Sequence, residues 1–74
     1  MYVKVSDLEK FVRELKADKI KFADLIFLEA SEDDGELIPA SISVNGLESL
    51  EFTVDYGEIE EVSENVIREN LSRG

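Results

Sequence analysis

Apolar residues near the start of the chain recur with the period of a helix, at spacings i, i+3, i+4 and i+7. They are Leu8, Phe11, Val12 and Leu15. Ser6 and Glu9 fit a capping box, in which each side chain accepts a hydrogen bond from the other residue's backbone N–H. The pattern therefore predicts a first helix over residues 7–17, and the alternation before it is compatible with a short strand over residues 2–5.

After Ile20 the apolar period changes to two, which is the period of a strand. We expect a strand at about 22–30. Its segment 25–28 is apolar on both parities, a pattern typical of a strand that is covered on both faces. A second strand is predicted at about 37–44, and Pro39 indicates an edge position or an irregularity there, because proline has no N–H to donate.

The alternation of apolar residues in the flanking strands constrains the length of the loop around Asn45-Gly46. This dipeptide favours a two-residue hairpin. Such a hairpin would put the apolar set of the third strand on the face opposite the apolar set of the second, because a one-residue slip reverses every side chain. These sets are Ile38, Ala40, Ile42 and Val44, and Leu50, Phe52 and Val54. The sequence therefore predicts a loop of odd length, either 45–47 or 45–49, and a third strand at about 49–56.

Residues 57–62 have two interpretations. Either a helix starts near residue 58, or a short extended piece precedes a helix over 64–72 that Ser63 caps. The second is favoured because it adds a hydrophobic staple between Val62 and Ile67. The predicted fold class is α+β, one domain over residues 1–74 with the order α-β-β-β-α. It is a three-stranded antiparallel meander packed with two short helices.

The net charge of −10 arises in one continuous block. Between Phe22 and Ile67 there are thirteen acids and neither lysine nor arginine. Such a block repels nucleic acid and anionic membrane surfaces, so neither is an expected partner, and a partner selected by charge would be basic. The first residues form no apolar signal segment, and no apolar run approaches the ~20 residues of a membrane span. We expect a cytoplasmic protein.

The chain has no cysteine and no histidine. This removes disulfides, the common zinc sites and the usual parts of nucleophilic catalysis, so we expect no enzyme, no cofactor and no metal site. One acidic cluster, Glu32, Asp33, Asp34 and Glu36, lies in a predicted turn over residues 31–36. Its acids lack the alternating register of a calcium-binding EF-hand loop. They are interpreted as a solvated turn that could contact a partner.

Four apolar residues fall on the strand parity opposite to the predicted core: Leu25, Phe27, Leu37 and Leu47. If both short helices cover the same face of the sheet, these residues would form an exposed patch, which usually marks an interaction site. The alternatives are that one helix covers each face, or that a bulge at Asp24 changes the parity. A chain of 74 residues without disulfides or a metal also commonly gains stability from a partner copy.

The sequence thus favours a non-enzymatic protein–protein interaction module that forms a homodimer. The alternative is an acidic decoy, whose carboxylates imitate phosphates and occupy a basic protein surface. In general character the chain resembles short acidic proteins of bacteria and their phages. No motif carries that likeness, so it implies no functional residue.

Overall fold

The computed structural model describes residues 1–72, which form an α+β domain with antiparallel strands. The elements are α1 (Val5–Ala17), β1 (Phe22–Leu28), β2 (Ser31–Asp33), β3 (Glu36–Ile38), β4 (Ser41–Leu47), β5 (Thr53–Glu60) and α2 (Glu64–Ser72). One sheet has the strand order β1-β4-β5, and β2 pairs with β3 in a second, two-stranded sheet. The predicted fold class is confirmed, but the three predicted strands are five.

The predicted start of α1 is wrong by two residues. Lys4 is the N-cap, and its carbonyl accepts hydrogen bonds from the N–H groups of Asp7 and Leu8 at 3.1 and 3.3 Å. Ser6 therefore lies inside the helix and forms no capping box, while the Glu9 carboxylate pairs with Arg13 one turn later. The predicted strand over 2–5 does not form, because Val5 already belongs to α1.

The first two predicted strands form one long hairpin. Each is interrupted once, and the two breaks lie opposite each other. β1 pairs with β4 and β2 pairs with β3, and the breaks fall at residues 29–30 and 39–40. Pro39 lies in the second break, so the irregularity that it indicates is confirmed. At the tip, Asp34 and Gly35 both have positive φ, at 51° and 81°. Positive φ at both central residues is what a two-residue type I′ hairpin requires.

Asn45 and Gly46 do not form a turn, which corrects the predicted position of the loop. They belong to β4, and the loop to β5 spans residues 48–52, five residues long. The odd length agrees with the parity argument, but the third strand starts four residues later than predicted. A Cβ on Gly46 would lie 2.7 Å from the Tyr56 ring and 3.0 Å from Leu15, so glycine here permits close packing of α1.

The pairing of β4 with β5 shifts by one residue between Val44 and Asn45. Tyr56 is the extra residue of this bulge, since Val44 pairs with Gly57 and Asn45 pairs with Asp55. A bulge places two residues of one strand opposite one of its partner. The bulge therefore lets even-numbered and odd-numbered apolar residues of β5 lie on the same face of the sheet.

The start of α2 follows the favoured interpretation. β5 continues to Glu60, and Ser63 precedes the helix. The Val66 N–H donates to the Ser63 hydroxyl at 3.3 Å, which caps the helix as predicted. The connection between β5 and α2 is held to the N-terminal segment, because the Val62 N–H donates to the Tyr2 carbonyl at 2.7 Å.

The buried core is small for the length of the chain. Phe11 of α1 packs on Val44 and Ile59, with Leu15 and Tyr56 partly buried beside them. The radius of gyration is 14.7 Å, whereas about 11 Å is typical of a compact domain of this size. The principal extents are 40 × 37 × 14 Å, so the molecule is flat. Much of its apolar surface has no second layer to pack against.

Ile59 is 2% exposed and lies at the centre of this core. We expect Ile59→Val to lower the free energy of unfolding by about 0.5–1.5 kcal/mol, because it removes a buried methyl group. Ile38→Val makes the same chemical change at a half-exposed position of the hairpin and should cost less than ~0.5 kcal/mol. Urea denaturation measures both. Equal losses would show that Ile59 is not part of the core.

Candidate interaction surface

α1 lies on one side of the three-stranded sheet, here called the helix face. Residues directly opposite in an antiparallel pair point to the same side of the sheet. Leu25 of β1 is opposite Val44, and Phe27 is opposite Ile42. Since Val44 packs against Phe11, the side chains of Leu25 and Phe27 also lie on the helix face.

The helix leaves part of this face uncovered. Phe11 and Leu15 reach β4 and β5, while Leu8 and Val12 of α1 remain 42% and 46% exposed. Between α1 and β1 runs an apolar cleft of about 170 Å³, whose walls include Leu8, Val12 and Leu25. Its shape follows from the position of α1, which lies over β4 and β5 rather than over β1.

The other side of the sheet, here called the open face, changes in character from strand to strand. Each strand contributes four residues, given by their pairing. β1 places Phe22, Asp24, Ile26 and Leu28 there, β4 places Ser41, Ser43, Asn45 and Leu47, and β5 places Thr53, Asp55, Glu58 and Glu60. The open face is therefore mostly apolar at β1, where Asp24 is the one charge, mostly polar and uncharged in the middle, and acidic at β5.

β1 is an edge strand with the composition of an inner strand. Within residues 1–72 it has β4 on one side and no strand on the other. All seven of its residues are exposed, and five of them are large and apolar. Natural edge strands are normally short, charged or covered, because an exposed edge can pair with another chain. Asp24 is the one charged residue of β1.

The four residues of the predicted apolar patch do not come together. Leu25 and Phe27 are exposed, but they share the helix face with Ile42 and Val44, so the predicted parity is wrong. Leu47 is opposite Phe22 on the open face. Leu37 lies in β3, opposite Glu32 in the separate hairpin. The two parts of the hairpin keep one register across the break, and throughout it odd-numbered residues lie opposite even-numbered ones.

Sequence reasoning did not identify Leu8, Val12 and Ala23 as part of this surface. The signal for this surface in the sequence was the apolar run 25–28, because such a run indicates burial on both faces. What the sequence did not show is that this strand lies at the edge of the sheet.

The acidic cluster forms the tip of the β2–β3 hairpin. Glu32, Asp33, Asp34 and Glu36 are all exposed. In the described part of the chain, their side chains make neither a hydrogen bond nor an ion pair. No group of three acidic side chains suited to a metal ion occurs within residues 1–72. The hairpin thus presents unpaired negative charge to solvent.

A single polar contact ties the end of α1 to the sheet. The Tyr56 hydroxyl donates to the Asp18 carboxylate at 2.6 Å. This hydrogen bond, together with desolvation and the nearby negative charge, raises the pKa of Tyr56 to about 12. The bulge in β5 allows the contact, because it turns Tyr56 towards the helix.

Comparison with protein-family models, curated proteins and solved structures finds no match to this chain. No helix within residues 1–72 is long and apolar enough to cross a membrane.

We predict that the Tyr56 hydroxyl loses its proton at a higher pH than an ordinary tyrosine does. In a Tyr2→Phe background, which leaves Tyr56 as the one tyrosine, the tyrosinate absorbance should rise with a midpoint near 12. The raised pKa in the folded state means that this contact stabilises the fold fully below pH 10 and loses its effect as pH rises through 12.

Asp18→Ala is the matched variant, because it removes both the acceptor and its charge. The midpoint should then move back towards the ordinary tyrosine value of 10. An unchanged midpoint in this variant would show that Asp18 does not hold the Tyr56 hydroxyl in solution.

Proposed function

We propose that this protein is a non-enzymatic protein–protein interaction module that self-associates as a homodimer. The observation that carries the proposal is its accessible surface of 6197 Å². A compact monomer of 8.4 kDa exposes about 4,600 Å². The chain therefore exposes about 1,600 Å² more than a protein of its mass normally does.

This excess matches the needs of a stable dimer. A standard interface buries about 800 Å² on each partner, and obligate homodimers bury more. The excess surface is rich in large apolar side chains, including Phe22, Leu25, Ile26 and Phe27 along β1. These side chains lie on both faces of one edge strand, and natural proteins normally cover or shorten such a strand. Burial against a second copy would supply the layer that the flat sheet lacks.

The open face is a poor homodimer interface over its full width. Two open faces stacked on each other would bury the carboxylates of Asp55, Glu58 and Glu60 against a partner sheet that has no positive charge on that face. Carboxylates buried without a positive partner are strongly destabilising. Self-association should therefore involve β1 and the cleft beside it, where Leu25 and Phe27 are exposed and charge is scarce.

We expect the chain to have twice its mass of 8.4 kDa in solution, with the dimer fraction rising with concentration. Leu25→Glu and Phe27→Glu should each give a soluble monomer, because dimerisation would bury an unpaired carboxylate. The cost of about 3 kcal/mol or more corresponds to at least a ~100-fold higher Kd. Sedimentation equilibrium measures the Kd.

Leu71→Glu is the control for these variants. Leu71 is 76% exposed in α2, which follows β5 at the edge of the sheet opposite to β1. It receives the same added charge and should leave the dimer intact. A wild-type chain that stays monomeric at millimolar concentration would overturn the proposed self-association.

A second function is favoured by one observation, the unpaired acids at the tip of the β2–β3 hairpin. As an acidic decoy, the hairpin would present Glu32, Asp33, Asp34 and Glu36 to a basic, nucleic-acid-binding surface of another protein. The base-free block from Phe22 to Ile67 supports this function, because it has no positive charge to repel such a partner. A dimer would present two hairpins.

The decoy function predicts that basic proteins bind at low salt and are released steeply as salt rises, because salt screens exposed charges. Replacing the four hairpin acids with their amides should abolish this binding. A variant with Glu64 and Glu69 of α2 replaced by glutamine tests whether charge at the hairpin matters specifically. The decoy function fails if no basic protein is retained at low salt.

A further inference from the structure

We infer that β1 of one chain pairs antiparallel with β1 of a second copy about a twofold axis at Leu25. The result is one continuous six-stranded sheet. This inference rests on the proposed self-association and names the strand, the register and the contact that would form it. It starts from the edge of β1, which is unpaired within residues 1–72 and carries the composition of an inner strand.

The geometry of the sheet fixes how the two faces meet. A twofold axis that makes two β1 strands antiparallel neighbours must run perpendicular to the sheet. Residues opposite each other then lie on the same side, so both α1 helices lie on one face of the joined sheet. The cleft beside α1 in each copy opens onto the shared centre. Leu8 and Val12 of both chains would therefore border one apolar valley.

The sequence of β1 favours one register. With the axis at Leu25, all seven residues pair, and Phe22 lies opposite Leu28 of the partner subunit. With the axis at Asp24, two carboxylates would lie directly opposite, and like charges in that position are destabilising. With the axis at Ile26, the pairing shortens to residues 24–28. The register at Leu25 gives the longest pairing and places the two Asp24 side chains diagonally, about 7–8 Å apart, instead of directly opposite each other.

The same register matches a large side chain with a small one. On the helix face, Phe27 lies opposite Ala23 of the partner subunit, and each Ala23 lies opposite a Phe27. Around Ala23 is a mainly apolar groove of about 180 Å³, lined by Val12, Leu15 and Ile20 together with the side chains of Lys16 and Lys21. An alanine beside such a space leaves room for an aromatic ring from outside. Phe27 is 57% exposed and could fill it.

Single-cysteine variants test this pairing directly, because the chain has no cysteine of its own. In the proposed register, Leu25→Cys places two Cα atoms about 4.5–5.5 Å apart, which is within the range of a disulfide. We expect Leu25→Cys to form a covalent dimer under mild oxidation. Ala23→Cys is the matched control, since its two copies would lie about 14 Å apart, too far to bridge.

A mixed sample gives a second, independent readout of the register. Ala23→Cys and Phe27→Cys chains, distinguished by an added mass label, should cross-link to each other more than either does to itself. Leu37→Cys, in the exposed hairpin, should not cross-link above the rate of random collision. These readouts do not depend on the folding of one variant alone.

The outcomes separate the two proposals. A wild-type chain that stays monomeric overturns the self-association and the β1 pairing together, and would leave the edge for a strand of a different protein. A wild-type dimer in which Leu25→Cys fails to cross-link, or in which Ala23→Cys cross-links as readily, overturns the pairing alone. Cross-linking at Leu25 together with the mixed pair supports both.

Discussion

The packing of Phe11 on Val44 and Ile59 is the contact between helix and sheet on which this structure depends. Glycines at positions 46 and 57 make the contact possible, because α1 approaches the sheet where those strands carry no side chain. The bulge at Tyr56 then adds a hydrogen bond from the sheet to Asp18 at the end of the helix. A helix fixed in this way covers β4 and β5 and cannot also cover β1.

The uncovered strand follows from that placement. A sheet with one short helix on one side can bury only part of its apolar surface, and a chain of this length has no further element over β1 within residues 1–72. An apolar strand at an open edge costs solubility unless something pairs with it. Self-association would cover the exposed edge, since a second copy brings an identical apolar strand that can pair with it.

The distribution of acids is consistent with the same constraint. Carboxylates lie on the β5 side of the open face and at the tip of the hairpin, while β1 has Asp24 alone. Repulsion among the acids discourages stacking through the acidic part of the sheet and leaves the β1 edge as the surface where two chains can approach. Charge thus limits which association is possible, and the apolar strand supplies the driving force.

The sequence alone determined the local features whose physical cause lies within a few residues. The helical period around Phe11, the Ser63 cap, the positive-φ turn at Asp34-Gly35 and the irregularity at Pro39 all depend on neighbouring residues. The α+β class and the antiparallel strands followed from these periods. The apolar run 25–28 predicted a strand that is covered on both faces, which is wrong for the single chain, because all seven residues of β1 are exposed.

The tertiary structure decided what depends on contacts between distant residues. Asn45-Gly46 has the local preference of a turn, but it lies in β4 because Leu15 and Tyr56 pack against the glycine. The two-residue turn at Asp34-Gly35 pairs each even-numbered residue of β4 with an odd-numbered residue of β1, so assigning the even-numbered residues of both strands to the core put Leu25 and Phe27 on the wrong face. The position of β1 at the sheet edge depends on pairing across the whole chain, which no local pattern encodes.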